Sequence, residues 1–234
     1  MKSKKLLLSC MVLVIFEFFC LWLHRNYVDS GIEGLESRLT AGAGFNSLLD
    51  HASIYVLLFC AFFLESIPPM SVSSMIRGTR KSFCGVCSRW LLWNAFLFSS
   101  MFVLVITLNV FLFVSWEWWC TPSFFGVLFF FWMMVFLYYV FIGTLFYLFY
   151  LIFWKKGLCV ALTVVVSILL LIISIKQDIW TPVNSMEIFD FYLENRLSGI
   201  NICANIVKCV IIIMGILTIG YLYFKEKDIL GEKE

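Results

Sequence analysis

The stretch FFGVLFFFWMMVFLYYVFIGTLFYLFYLIFWKK, residues 124–156, decides the fold: no charged side chain interrupts it from Phe124 to Phe153, and then Lys155 and Lys156 arrive together. A helix crosses the hydrocarbon core of a bilayer with roughly 20 apolar residues, and this run exceeds that length. Working outward, five further apolar stretches lie at 6–23, 53–76, 90–114, 158–175 and 200–224. Composition agrees, since 62% of residues are hydrophobic and 14% charged, against about 25% charged in a globular chain. The expected class is an all-α polytopic membrane protein with six transmembrane helices in one domain over residues 1–234.

The lysines that close the quoted stretch belong to a larger pattern. Twelve of the seventeen Lys and Arg residues fall into four clusters: Lys2, Lys4 and Lys5; Arg77, Arg80, Lys81 and Arg89; Lys155 and Lys156; Lys225, Lys227 and Lys233. These clusters recur at every second gap between apolar runs. Cationic loops resist translocation, so all four are expected in the cytoplasm, with both termini inside. Trp116, Trp118 and Trp119 then border one outer turn and Trp180 another, as interfacial anchors do. The first run ends in Phe-Phe-Cys-Leu-Trp-Leu-His-Arg, which lacks the small-residue site of a cleaved signal peptide, so it reads as a retained helix.

Two connections differ from plain loops. The inner stretch SVSSMIRGTRKSFCGVCSR, residues 71–89, is the only inner connection long enough for a substantial contact with a soluble partner; its four cations equally suit anionic membrane lipid. Pro68 and Pro69 precede it, where proline removes a backbone donor, so the helix kinks or ends there. The outer stretch DIWTPVNSMEIFDFYLENRLSGIN, residues 178–201, carries Met186, Phe189, Leu193 and Leu197 on one helical stripe and Glu187, Asp190, Glu194 and Ser198 on another. That pattern predicts an amphipathic helix capped by Asn184 or Ser185 and ended by Gly199, lying at the outer interface or dipping between the spans.

Polar residues inside the spans are few. Glu17 lies deep in the first run, where an ionisable group turns toward a partner or an aqueous path. It lines a translocation route or is held protonated against a neighbouring helix. Asn94, Asn109 and Asn205 suit interhelical hydrogen bonds, or the same route. His24 and His51 sit at outer boundaries. Six of the nine cysteines, Cys10, Cys20, Cys60, Cys159, Cys203 and Cys209, fall within spans, so there is no disulfide framework. The lone Cys84-Gly85-Val86-Cys87 lacks the second ligand pair of a zinc site. No metal is expected. The chain also lacks a zinc-protease helix, a nucleophile elbow and a phosphate-binding loop, so neither catalysis nor ATP binding by those routes is expected of it. No nucleic-acid partner is expected either.

Met75-Ile76-Arg77-Gly78-Thr79-Arg80-Lys81 resembles the "I-R-x-x-S-R-K" run, and Tyr223-Phe224-Lys225-Glu226-Lys227-Asp228-Ile229 the terminal "Y-F-x-x-[RK]-D-[LIF]" run, of type-2 permease subunits of ATP-binding cassette (ABC) transporters. Within that group the size is similar to small bacterial permeases of peptide or bacteriocin export and immunity. The resemblance implies an ATPase-coupling contact at Arg77, Arg80, Lys81 and Arg89, and an outer gate over residues 180–198, including Trp180, Pro182, Phe189 and Glu194. It further implies a bacterial cytoplasmic membrane location, partner ATPase chains that hold the ATP and magnesium, a second permease, and a hydrophobic or amphipathic peptide as substrate. No cofactor is expected in this chain. It departs from many such proteins in having only about five residues before its first apolar run, so an amphipathic elbow helix is short or absent. A membrane protein that binds a peptide without transporting it is the alternative expectation.

Overall fold

A computed structural model describes the backbone of residues 11–12, 14–15, 17–19, 39–40, 46–63, 80–113 and 122–226. Among these residues there is no strand. We label α1 the helix over 48–63, α2 Arg80–Phe113, α3 Pro122–Phe153, α4 Lys156–Gln177, α5 Ile188–Leu193 and α6 Gly199–Glu226, with a 3-10 turn at Pro182–Met186 between α4 and α5.

Four helices are long and apolar enough to cross a membrane: Ser88–Leu112, Phe124–Phe153, Lys156–Gln177 and Gly199–Tyr223. They coincide with the last four expected spans. Of the first, residues 11–12, 14–15 and 17–19 are helical, and of the second α1 is described to residue 63. The Pro68-Pro69 break, Arg77 and the Trp116, Trp118 and Trp119 anchors lie outside the described residues.

The helix α3 is the hub. More than half of its apolar span, 56%, is buried inside the protein against 17% for α6, and α2, α4 and α6 all pack on it. Its aromatic residues explain this: Tyr139 meets Phe98 at 4.5 Å and Phe59 at 5.1 Å between ring centroids, and Phe131 meets Phe189 at 5.4 Å. Offset and edge-on ring pairs of this kind give large burial with defined geometry. At Gly143 the Leu91 side chain of α2 seats against the α3 backbone, because an added Cβ would sit 2.8 Å from Leu91 Cγ.

The contacts also fix which ends lie together. Leu91, near the start of α2, meets Gly143 in the second half of α3, and Gly220, late in α6, faces Leu148 and Leu151 of α3. The start of α2 with Arg89, the Lys155 and Lys156 hairpin, and the end of α6 with Lys225 therefore share one end of the bundle. That hairpin is tight: Trp154 takes a φ of 60° and donates its N–H to the Tyr150 carbonyl at 3.1 Å, and only Trp154 and Lys155 separate the two helices. At the other end, the segment between α4 and α6 packs on the first half of α3, where Phe189 meets Phe124 as well as Phe131.

That outer segment differs from the expected single amphipathic helix. Thr181 and Asn184 form a reciprocal capping box around the 3-10 turn, α5 spans only six residues, and Asn195 turns the chain with a φ of 55°. Gly199 opens α6 instead of ending the outer helix. The cause is local, because Pro182 brings no N–H of its own and Asn184 Oδ1 accepts the Thr181 N–H, which settles a turn before an α-helix is established. Met186 and Phe189 are buried as the stripe predicts, but Leu193 is exposed.

Candidate functional site

Where the end of α4, the outer segment and the start of α6 meet, they enclose a cleft of about 280 Å3. Its walls carry Asp178, Trp180, Asn184, Glu187, Asn205 and Lys208. Asp178 ends α4 with a left-handed φ of 51°, a conformation Asp tolerates better than most residues. Asn184 organises the next wall. Its Oδ1 accepts from Ser174 Oγ at 2.7 Å and from the Thr181 N–H and Oγ1 at 2.9 Å each, while its Nδ2 donates to Glu187 Oε1 at 3.1 Å. The third wall is the start of α6, where Ser198 Oγ caps the helix by accepting the Asn201 N–H at 3.2 Å.

The cleft carries both signs of charge. Burial holds the Glu187 carboxyl above the usual carboxylate range; the Asn184 hydrogen bond opposes this, and the charges of Asp190, Asp178 and Glu194 add to it. Lys208 Nζ sits over the Trp180 ring, 5.1 Å from its centroid, a cation–π contact that fixes the ammonium without neutralising it. The one ion pair among the described residues is Arg196 with Glu194, at 3.2 Å and outside the cleft. Lys208 and the carboxylates of Asp178 and Glu187 thus line one cavity without forming an ion pair. The Trp180 indole Nε1 is buried and has no hydrogen-bond partner among the described residues.

A second polar cluster is sealed within the bundle. His51, fully buried, places Nδ1 3.0 Å from the Tyr139 hydroxyl and Nε2 3.0 Å from Asn46 Oδ1. Asn46 Nδ2 donates to the Leu39 carbonyl at 2.7 Å and reaches the Met186 carbonyl at 3.5 Å, which sets the amide orientation. Because Asn46 Oδ1 can only accept, His51 Nε2 carries a hydrogen, and Nδ1 is left to accept from the Tyr139 hydroxyl. The cluster ties α1 to α3 and to the outer segment. His51 begins a π-helical turn, His51–Tyr55, a rare geometry that re-aims side chains.

The structure scatters some of the expected site residues and gathers others. Trp180 and Asn205, assigned to gate and route respectively, line the same cleft. Pro182 starts the 3-10 turn and is buried, and Phe189 is buried behind it against α3. Glu194 stands at the surface with Arg196. Asn94 and Asn109 are buried in α2, and Asn109 Nδ2 donates to the Val105 carbonyl of its own helix at 2.9 Å. Glu17 is fully buried, interacts electrostatically with Tyr139, and has no hydrogen-bond partner among the described residues. Arg89 is exposed on α2, which continues unbroken back to Arg80, so the backbone of Arg80 and Lys81 extends the same helix.

Sequence reading missed Lys208, Glu187 and Asp178 as cleft residues, and missed His51 as a buried one. The signal for the latter was Tyr138-Tyr139 in the middle of an uncharged run, since a buried tyrosine hydroxyl seeks a partner; Tyr138 finds Ser167 Oγ at 2.7 Å and Tyr139 finds His51. Among the described residues no three His, Cys, Asp or Glu side chains converge as a metal site. No protein family, curated protein or solved structure matches the chain.

Proposed function

We propose that this chain is the membrane-spanning permease subunit of an ABC transporter of the bacterial cytoplasmic membrane, with six spans and both termini in the cytoplasm. The observation that carries the reading is the sorting of charge along the bundle. Arg80, Lys81, Arg89, Lys155, Lys156 and Lys225 lie toward one end, whereas Lys176, Arg196 and Lys208, with Asp178, Glu187, Asp190 and Glu194, lie toward the other. An excess of Lys and Arg at one end is what the positive-inside rule expects of the cytoplasmic side.

On this reading the run from Arg77 through Arg80 and Lys81 to Arg89 docks on a cytoplasmic ATPase chain, which holds ATP and magnesium. The continuous helix Arg80–Phe113 connects that contact mechanically to the interior of the membrane. The outer segment with Trp180, Pro182, Phe189 and Glu194 closes the far end, and Glu17, Asn94, Asn109 and Asn205 supply polar points along the route. A second permease completes the route, and a hydrophobic or amphipathic peptide is the cargo.

The test is co-purification of the full chain with an ABC ATPase chain from the cell that makes it. Replacing Arg77, Arg80 and Lys81 together by Glu abolishes the complex if these residues dock, with the variant's membrane insertion unchanged. A complex and ATP turnover that survive the triple replacement overturn the docking assignment. Peptide resistance that persists when the ATPase is deleted overturns the permease reading in favour of a peptide-binding membrane protein.

A further inference from the structure

The mixed-charge cleft has a lipid-facing neighbour. Ala204 and Lys208 line both the cleft and an open apolar groove of about 580 Å3, whose other residues are Gly199, Ile200, Cys203 and Val207. The groove continues down α6. Ile200, Val207, Ile211 and Met214 lie at i, i+7, i+11 and i+14, hence on one helical face, and all four are exposed, Ile200 by 82%. A small polar chamber with both signs of charge therefore opens beside an apolar stripe on a membrane-facing helix.

We propose that the chamber and stripe together bind an amine-bearing zwitterionic phospholipid, its ammonium facing Asp178 and Glu187, its phosphate facing Lys208, and one acyl chain lying along Ile200, Val207, Ile211 and Met214. Charge complementarity selects this occupant. A purely anionic headgroup meets two carboxylates, a purely cationic one meets the Lys208 ammonium, and a zwitterion satisfies both sides. Size agrees: about 280 Å3 falls just below the usual range for small-molecule sites, roughly 300–1,000 Å3, which admits a headgroup and excludes a folded peptide segment. Lys208 suits a phosphate because its ammonium is a compact charge on a flexible stem, already steered by the Trp180 ring. The inference goes beyond the permease reading and requires no ATPase.

Native mass spectrometry of the delipidated full chain, with phosphatidylethanolamine, phosphatidylglycerol or soluble phosphoethanolamine added separately, tests it. Phosphatidylethanolamine is expected to be retained about tenfold more tightly than phosphatidylglycerol, the scale set by one charge-assisted hydrogen bond. Asp178→Asn combined with Glu187→Gln removes that preference, Lys208→Gln weakens retention of both lipids because both carry the phosphate, and Lys176→Gln, at an exposed cation outside the cleft, leaves both intact. Asp178 and Lys208 are exposed, and an unchanged thermal midpoint shows that the variants fold. Equal retention of the two lipids by the parent chain, a preference that survives the double carboxylate variant, or retention unchanged by Lys208→Gln overturns the proposal. Soluble phosphoethanolamine bound as tightly as the lipid overturns the role of the stripe.

Discussion

The His51 cluster and the cleft between α4 and α6 are both polar interruptions of an apolar helix bundle, and they treat their polar groups in opposite ways. In the cluster, each ring nitrogen of His51 has a partner at 3.0 Å, and Asn46 spends its amide on two backbone carbonyls. In the cleft, Asn184 serves Ser174, Thr181 and Glu187, but the Trp180 Nε1 has no partner among the described residues and the charges of Asp178, Glu187 and Lys208 face a cavity instead of one another. The difference separates holding from binding. A buried polar network with its partners in place specifies one packing arrangement, whereas opposite charges left apart around an opening retain their capacity to engage a ligand.

The sharpest way to break that comparison is to open the sealed side. His51→Ala strands the Tyr139 hydroxyl and Asn46 Oδ1 and leaves a cavity beside Phe102 and Tyr55, whose rings lie 5.0 Å from the imidazole. The expected loss is about 2–4 kcal/mol of stability, read as a drop in thermal midpoint in detergent. Tyr139→Phe removes one hydroxyl only and costs about 1–2 kcal/mol. If His51→Ala unfolds no earlier than the parent chain, the cluster is not a structural clamp and belongs with the cleft among ligand-facing groups.

A second substitution sets the scale for apolar packing alone. Gly143→Val puts its first added atom 2.8 Å from Leu91 Cγ at the α2–α3 contact, and overpacking of this kind costs about 1–3 kcal/mol. Gly220→Ala is the matched control, because its Cβ meets Leu151 Cδ1 at an ordinary 3.5 Å. Should Gly143→Val and Gly220→Ala shift the thermal midpoint equally, α2 and α3 are not as closely seated as Leu91 indicates.

Four of the expected spans were legible because each is bounded by an abrupt change in polarity. Residues 124–153 emerge as Phe124–Phe153, with Lys155 between the two helices and Lys156 at the first position of α4. The outer segment was less legible, since its helical stripe is real at Met186 and Phe189 but is cut short by the Thr181 and Asn184 side chains. Helical periodicity reports which face is apolar; it does not report a side chain that captures the backbone first. His51 was misread for a different reason. It stands at the edge of an apolar run, and the residue that draws it inside, Tyr139, is 88 positions away. The cleft likewise joins residues from α4, the outer segment and α6, which no local spacing relates. Arg80, Lys81 and Arg89, read from sequence as part of a connection, instead lie on α2, which begins at Arg80 and runs unbroken into the span, while Arg77 lies outside the described residues.

On the open side, pH gives a smaller and signed effect. Glu187 holds its proton more tightly in the folded chain than in the unfolded one, because burial raises its carboxyl above the ordinary value of 4.5. Its contribution is therefore most favourable below that value, declines as pH rises from there through the raised folded value, and is flat above it. Glu187→Gln removes the proton exchange, so the thermal midpoint of the variant falls less than that of the parent between about pH 4 and about pH 7. An equal fall places the carboxyl in a solvated setting, and a steeper fall in the variant reverses the sign and makes the carboxylate one held charged by a cation such as Lys208.

The smallest effect comes from the pair that belongs to neither region. Arg196 and Glu194 lie 3.2 Å apart with their side chains 72% and 54% exposed, and exposed ion pairs of this kind contribute about 0–1 kcal/mol. Arg196→Ala and Glu194→Ala are each expected to leave the thermal midpoint and phosphatidylethanolamine retention near parental values. Glu194 nevertheless stands in the segment assigned to the outer gate, which makes the substitution more than a control. The charge it contributes to the cleft acts at a distance through Glu187, and screening by solvent weakens such an effect at raised ionic strength. A loss of retention in Glu194→Ala that disappears at high salt therefore extends the cleft's field to the surface. A loss that persists at high salt moves the boundary of the binding site itself outward to α5 and makes the cavity only its inner part.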